Sequence, residues 1–253
     1  MEFKKLGKSD LTVSAYCLGT MTFGEATSET DSHLQIDQSF DSGINFIDTA
    51  EMYPTCPLRE ETTGDTEVII GNWIEKNKSK RADFVLATKI SGKGYKAVRN
   101  GEGIDEKSIK IAIEGSLKKL KTDYIDLYQL HWPNRGSYHF RQNWNYNPTN
   151  QDTEIAKDNI NGVLNSLSDL QKEGKIRHIG LSNETCWGTS HFLDQLKNFS
   201  NLIIASIQNE YSLLCRLYDL DMAEMSHHEH ISLLAYSPLA GGFLTGKYIN
   251  DNV

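Results

Sequence analysis

Short runs of β-branched and other apolar residues alternate along this chain with longer stretches whose apolar positions recur every three or four residues. The runs span 14–18, 44–49, 84–88, 125–131, 176–182, 203–209 and 231–236. Several are almost continuously apolar, as strands buried on both faces are. Between them the spacing predicts helices. Ser28 followed by Asp31 marks a helix start, with Ile36 and Phe40 four apart behind it. Val68, Ile69, Trp73 and Ile74 are expected to share a helix face, and Ile109, Ile113, Leu117 and Leu120 repeat at helical spacing. Val163, Leu164, Leu167 and Leu170 form another stripe, which Gly174 closes. Later helices are expected near 187–196 and 217–227.

Strict alternation of strand and helix calls for a parallel sheet with right-handed crossovers. An open doubly wound sheet and an eight-fold barrel both satisfy it. A dinucleotide-binding open sheet usually carries G-x-G-x-x-G after its first strand. Gly19-Thr20-Met21-Thr22-Phe23-Gly24 does not match that pattern. The expected fold is therefore α/β, a (β/α)8 barrel, for which 253 residues suffice. Residues 3–18 would supply an N-terminal hairpin and the first barrel strand. That count yields seven barrel strands and leaves the last strand–helix unit absent. Residues 1–253 are thus expected to form a single barrel domain, truncated at its C-terminal side, or a fragment with exposed sheet edges. The longest connection, 132 to about 158, carries Tyr138, Phe140, Trp144 and Tyr146. It is expected either to wall a substrate pocket or to pack as a surface loop.

Composition narrows the partners. A formal net charge of −8 argues against nucleic acid, and any bound anion would need local basic groups. No stretch approaches the ~18 apolar residues of a membrane span. The start, Met1-Glu2-Phe3-Lys4-Lys5-Leu6, lacks the apolar core of a secretory signal. Cys17, Cys56, Cys186 and Cys215 are scattered without a CxxC pair, so a reducing cytoplasm is expected and no disulfide framework. The Asn-X-Ser/Thr matches at Asn77, Asn183 and Asn198 then read as chance. His227-His228-Glu229-His230 reads as a solvated helix end, and no metal is expected.

The strand ends carry the chemistry. Asp48-Thr49-Ala50-Glu51-Met52-Tyr53 follows the second run, Lys89 the third, and His131-Trp132-Pro133 the fourth. In a β/α barrel these C-terminal ends form one rim, where active sites lie. Each residue alone is more often a cap or a packing contact, but four converging on one rim are hard to ascribe to accident. Hydride addition to a carbonyl builds negative charge on its oxygen, and a nearby acid must supply a proton. Tyr53 has the hydroxyl for this. A cationic Lys89 at hydrogen-bond range would lower its pKa, Asp48 would pair with Lys89, and His131 would orient the carbonyl oxygen.

With these blocks in order, the chain resembles the aldo-keto reductases. Gly19–Gly24, Asp48–Tyr53, Ala87-Thr88-Lys89 and Gln129-Leu130-His131-Trp132-Pro133 carry the likeness. Gly180-Leu181-Ser182-Asn183, Gln208-Asn209-Glu210-Tyr211-Ser212 and Ala235-Tyr236-Ser237-Pro238-Leu239 continue it. The resemblance implies an oxidoreductase that reduces aldehydes and ketones with NADPH, with Tyr53 as proton donor and Asp48, Lys89 and His131 assisting. It implies that Ser182, Asn183 and Gln208 hold the nicotinamide carboxamide and that Tyr236 stacks on the ring. Thr20, Met21 and Asp48 would flank the cofactor. The 237–247 segment, with Ser237, Leu239, Gly241 and Lys247, would approach the pyrophosphate. Its G-x-x-x-x-G-K spacing ends on Tyr248, not Ser or Thr, so it is no phosphate loop by itself. The family's grip on the 2′-phosphate lies beyond the seventh strand, so NADPH over NADH rests on resemblance alone. A non-catalytic cofactor-binding or regulatory protein and an inactive fragment of the reductase are the alternatives. The intact Asp48, Tyr53, Lys89 and His131 favour an enzyme, since a binding module needs no proton donor. The partner expected is a small-molecule carbonyl, with neither nucleic acid nor membrane. The oligomeric state stays open.

Overall fold

A computed structural model describes residues 1–249; positions 250–253, the end of the expected 1–253 domain, lie outside the described residues. The chain opens with an antiparallel hairpin of β1 (Phe3–Lys5) and β2 (Thr12–Ser14). Strands and helices then alternate: β3 (Leu18–Gly19), α1 (Glu29–Asp41), β4 (Phe46–Asp48), α2 (Asp65–Lys76), β5 (Val85–Ile90), α3 (Glu106–Leu120) and β6 (Ile125–Leu130). They continue as α4 (Thr153–Lys172), β7 (Ile176–Ser182), α5 (Cys186–Leu196), β8 (Ile204–Glu210), α6 (Met222–Glu229) and β9 (Ser232–Tyr236). Strands β3 to β9 pair in parallel and in chain order, seven among the described residues. That order is the barrel arrangement, in which every strand lies beside its sequence neighbour and each crossover helix packs outside.

The helix starts follow local chemistry. Ser28 accepts a hydrogen bond from the Asp31 amide at 3.1 Å and caps α1. Asp105 and Ser108 form a reciprocal capping box at α3. The stripes read on α3 and α4 are buried throughout. Four expectations need correcting. The 14–18 run is not one strand: Ser14 closes β2, its hydroxyl bonds the Tyr16 carbonyl at 2.6 Å, and pairing resumes only at Leu18. Val68 is exposed, because one helical step of about 100° turns it away from buried Ile69. Helix α4 begins at Thr153, where Asp152 caps the Ile155 amide at 3.0 Å, so the long connection is 132–152. The 217–227 helix is two pieces, a 3-10 turn at Leu217–Leu220 and then α6, with Asp221 out of helical geometry (φ −144°) between them.

The core has two layers. Ile47, Leu86, Tyr128, Leu130, Ile179 and Leu181 face outward from the sheet onto the helices. Phe46, Val85, Ala87, Leu127 and Ala205 face inward, where Leu6, Leu11 and Val13 of the hairpin pack on them. The hairpin therefore plugs the N-terminal end of the strands. Because side chains alternate along a strand, the inward set continues upward from Phe46 to Asp48, from Ala87 to Lys89 and from Leu127 to Gln129. Hydrophobic packing fills one end of the interior and polar groups fill the other.

Candidate active site

At that polar end Lys89, fully buried, donates to Asp48 Oδ2 at 2.6 Å and to the Thr49 carbonyl at 2.9 Å. Its third contact is the Tyr53 hydroxyl at 3.4 Å. Asp48 Oδ1 accepts from Gln129 Nε2 at 2.8 Å and from Gln208 Nε2 at 3.0 Å. One carboxylate thus ties together β4, β5, β6 and β8. Tyr53 lies edge-on to His131, ring centroids 5.7 Å apart. The four residues expected to form the catalytic group do converge.

Their electrostatics differ from expectation in one respect. Burial pushes the Tyr53 hydroxyl above its ordinary value; the Lys89 charge opposes this, but Asp48 offsets part of Lys89's pull. Lys89 is pulled down by burial, yet Asp48 and Tyr53 outweigh that and hold it above its usual value as an ammonium. His131 sits well below the usual histidine range, through burial first and the Lys89 charge second. Its imidazole is neutral at neutral pH, and Nδ1 has no hydrogen-bond partner among the described residues.

A second polar group adjoins the first. Asn183 takes a left-handed backbone (φ 51°) directly after β7 ends, and Ser237 does the same after β9. Asn183 Nδ2 donates to the His131 carbonyl at 2.9 Å, and its Oδ1 accepts from the Tyr236 hydroxyl at 2.8 Å. Ser182 Oγ donates to the Gln208 carbonyl at 3.0 Å. A cavity of ≈ 710 Å³ opens on Tyr53, His131, Asn183, Gln208, Tyr236 and Ser237, with Met21 at its edge. Thr20 lies outside that lining and locks the end of β3, donating through N (3.2 Å) and Oγ1 (2.8 Å) to the Asp48 carbonyl. Leu239, Gly241 and Lys247 also lie outside it, just before, within and just after a 3-10 turn at Ala240–Thr245. In the connection after β6, Trp132 and Phe140 line the cavity, whereas Trp144 is almost fully exposed and Tyr138 packs on Tyr146. The wall is therefore the first part of that connection.

Matched against known proteins, residues 15–253 fit the model of the aldo/keto reductase family. The chain belongs to the aldo/keto reductase family. It is 44% identical over 253 residues to the tas protein of Escherichia coli, covering 99% of this chain and 71% of the relative. It is 32% identical to the uncharacterized oxidoreductase YrpG of Bacillus subtilis, covering 100% of this chain and 71% of that protein. An aldo-keto reductase of Babesia bovis is 41% identical over 175 residues, 65% of this chain and 61% of the relative. Membership places the chain among carbonyl-reducing oxidoreductases, which generally use nicotinamide cofactors. Among the described residues no helix is long and apolar enough to cross a membrane.

Sequence reasoning missed two contributors to this aldo/keto reductase site. Gln129 holds Asp48 from β6, and its position two residues after inward-facing Leu127 was a usable signal. Glu51, inside the Asp48–Tyr53 block, accepts from the Ser91 amide at 2.5 Å and pairs with Arg99. Arg99 also donates to the Ser91 carbonyl at 2.8 Å. Nothing in the spacing of Glu51 and Arg99 marks them as partners.

Proposed function

We propose that this aldo/keto reductase reduces small aldehydes or ketones to alcohols with NADPH, acting as one barrel domain, with Tyr53 as proton donor. The contact chain Asp48–Lys89–Tyr53 at the base of an open cavity carries the reading. The residues fit a nicotinamide. Gln208 gives its Nε2 to Asp48 and Gln129, which leaves Oε1 without a protein partner among the described residues, and that oxygen faces the need of a carboxamide N–H. Asn183 is held beside it by His131 and Tyr236, and Tyr236 offers a ring face in the same cavity. Asn183, Gln208 and Tyr236 would hold the nicotinamide, with Met21 and Ser237 at the edges; Ser182, Thr20 and Asp48 support them from behind. Leu239, Gly241 and Lys247 belong to the proposed pyrophosphate segment. Bound there, the dihydronicotinamide supplies the hydride that reduces the carbonyl carbon.

The chain's own residues handle the proton. As charge develops on the carbonyl oxygen, Tyr53 transfers its hydroxyl proton to that oxygen and the alcohol forms. Lys89, held as a cation by Asp48, stabilises the phenolate left behind until solvent returns a proton. Neutral His131 offers a ring N–H to the carbonyl oxygen and orients it without competing as an acid. NADPH oxidation over a panel of aldehydes and ketones tests the reading, with NADH as the comparison. Tyr53→Phe keeps the ring and removes the proton, so kcat should fall roughly 10²–10⁴-fold with KM little changed, the usual range for a general acid. Unchanged turnover in that variant rules out Tyr53 as the donor.

A further inference from the structure

The lining of the substrate cavity is unbalanced in charge. Aromatic and apolar side chains dominate it: Tyr53, Tyr95, Trp132, Phe140, Met52 and Leu58. Among the described residues no Asp or Glu lines it, and Lys93 is the single lysine or arginine that does. Lys93 enters no ion pair among the described residues, although the chain as a whole carries a net charge of −8. Lys93 also borders a second cavity of ≈ 690 Å³ behind the Trp132–Asn134 wall, which carries the carboxylates Glu102, Asp105 and Asp152, so it stands where the two cavities meet.

Lys93 also stands on a fixed piece of chain. Two residues earlier, Ser91 is clamped at its amide by Glu51 and at its carbonyl by Arg99. The Lys93 carbonyl itself accepts from the Trp132 indole at 3.2 Å. Gly92 between them has no room for a side chain, because a Cβ there would overlap the Trp132 carbonyl and indole. The loop thus presses the Trp132 wall and holds exposed Lys93 at the boundary of the substrate cavity. A mobile ammonium on a freely moving loop would select little, whereas one based on an anchored backbone has a defined reach.

We infer that Lys93 is a specificity residue and that the cavity takes flat, apolar carbonyl compounds bearing an anionic group, such as a carboxylate, remote from the carbonyl. The inference rests on the reductase reading for the word substrate, but anion selection can be measured without turnover. The first measurement is binding of 4-methylbenzoate and its uncharged methyl ester to the whole chain at low salt, read by tryptophan fluorescence and calorimetry. The second is NADPH oxidation with 4-carboxybenzaldehyde and methyl 4-formylbenzoate. An exposed ion pair supports a preference of about fivefold for the carboxylate. Lys93→Gln should abolish that preference, Lys93→Glu should reverse it, and added salt should erode it in the native chain. Equal affinity for acid and ester in the native chain overturns the inference. So does a Lys93→Gln variant that weakens both ligands equally, which is the mark of a packing role. Selective binding of the acid with no oxidation of NADPH by either aldehyde upholds the anion site and removes the reductase reading instead.

Discussion

At Tyr53 a layer of protein and two opposite charges compete over one proton. Burial favours the neutral phenol, Lys89 favours the phenolate, and Asp48 takes back part of what Lys89 gives. The expectation that lysine simply lowers the tyrosine pKa omitted both the burial and the counter-charge, neither of which spacing along a chain reveals. The outcome sets a pH profile. Reduction needs Tyr53 protonated, and its pKa lies above the ordinary value of about 10, so the alkaline fall in kcat/KM should begin only above about pH 10. His131 lies far below its ordinary value, so it adds no acid limb near pH 6.5. A flat profile between pH 6 and 9.5 is the expected result. A fall centred near pH 8 would show that the bound cofactor reverses the balance in favour of Lys89.

Between elements, small residues decide how closely layers approach. Gly71 lies on α2 where a Cβ would overlap the Lys119 carbonyl oxygen at the end of α3. Gly71→Ala must therefore push α2 from α3 and should destabilise the fold by about 1–3 kcal/mol, as overpacking does. Gly115, on α3 itself, meets nothing within 4 Å, so Gly115→Ala should be neutral or stabilising by up to about 1 kcal/mol through helix propensity. Urea unfolding of the two variants beside the native chain gives both numbers, and equal shifts would refute the packing argument. Neither glycine looks special in the sequence, because both fall within helical patterns. The apolar stripes of α3 and α4 were legible since burial imposes their period. The start of α4 was not, because its first residues, Thr153 to Ile155, face solvent and carry no stripe. Likewise the segment ending at His227 reads as one helix, and the kink at Asp221 leaves no mark in the periodicity.

Across the whole molecule, the two ends of the strands divide the work. Asp126, near the start of β6, is buried and accepts from Arg81 at 2.8 Å, from Arg177 at 2.9 Å and from the Leu86 amide at 3.0 Å. Arg177 reaches on to Asp10 in the hairpin at 2.9 Å. This network lies at the plugged end, with the hairpin, and touches none of the residues around Tyr53. Removing the carboxylate leaves the Leu86 amide without its acceptor and takes the counter-charge from buried Arg81, which keeps the Thr122 hydroxyl and the Phe84 and Tyr124 carbonyls. Breaking a buried pair from one side costs about 3–5 kcal/mol. Arg177 is partly exposed and keeps Asp10, so its share of that loss is small. Asp126→Ala should accordingly lower the unfolding free energy by about 3 kcal/mol, while kcat of the fraction still folded stays within about twofold of the native value. Tyr53→Phe should do the reverse, with turnover lost and the urea midpoint nearly unchanged. Measuring urea midpoints and kcat for both variants tests whether stability and chemistry are separable along the barrel axis. A loss of kcat in Asp126→Ala at temperatures where it is fully folded would show that the two ends are coupled through β5 and β6.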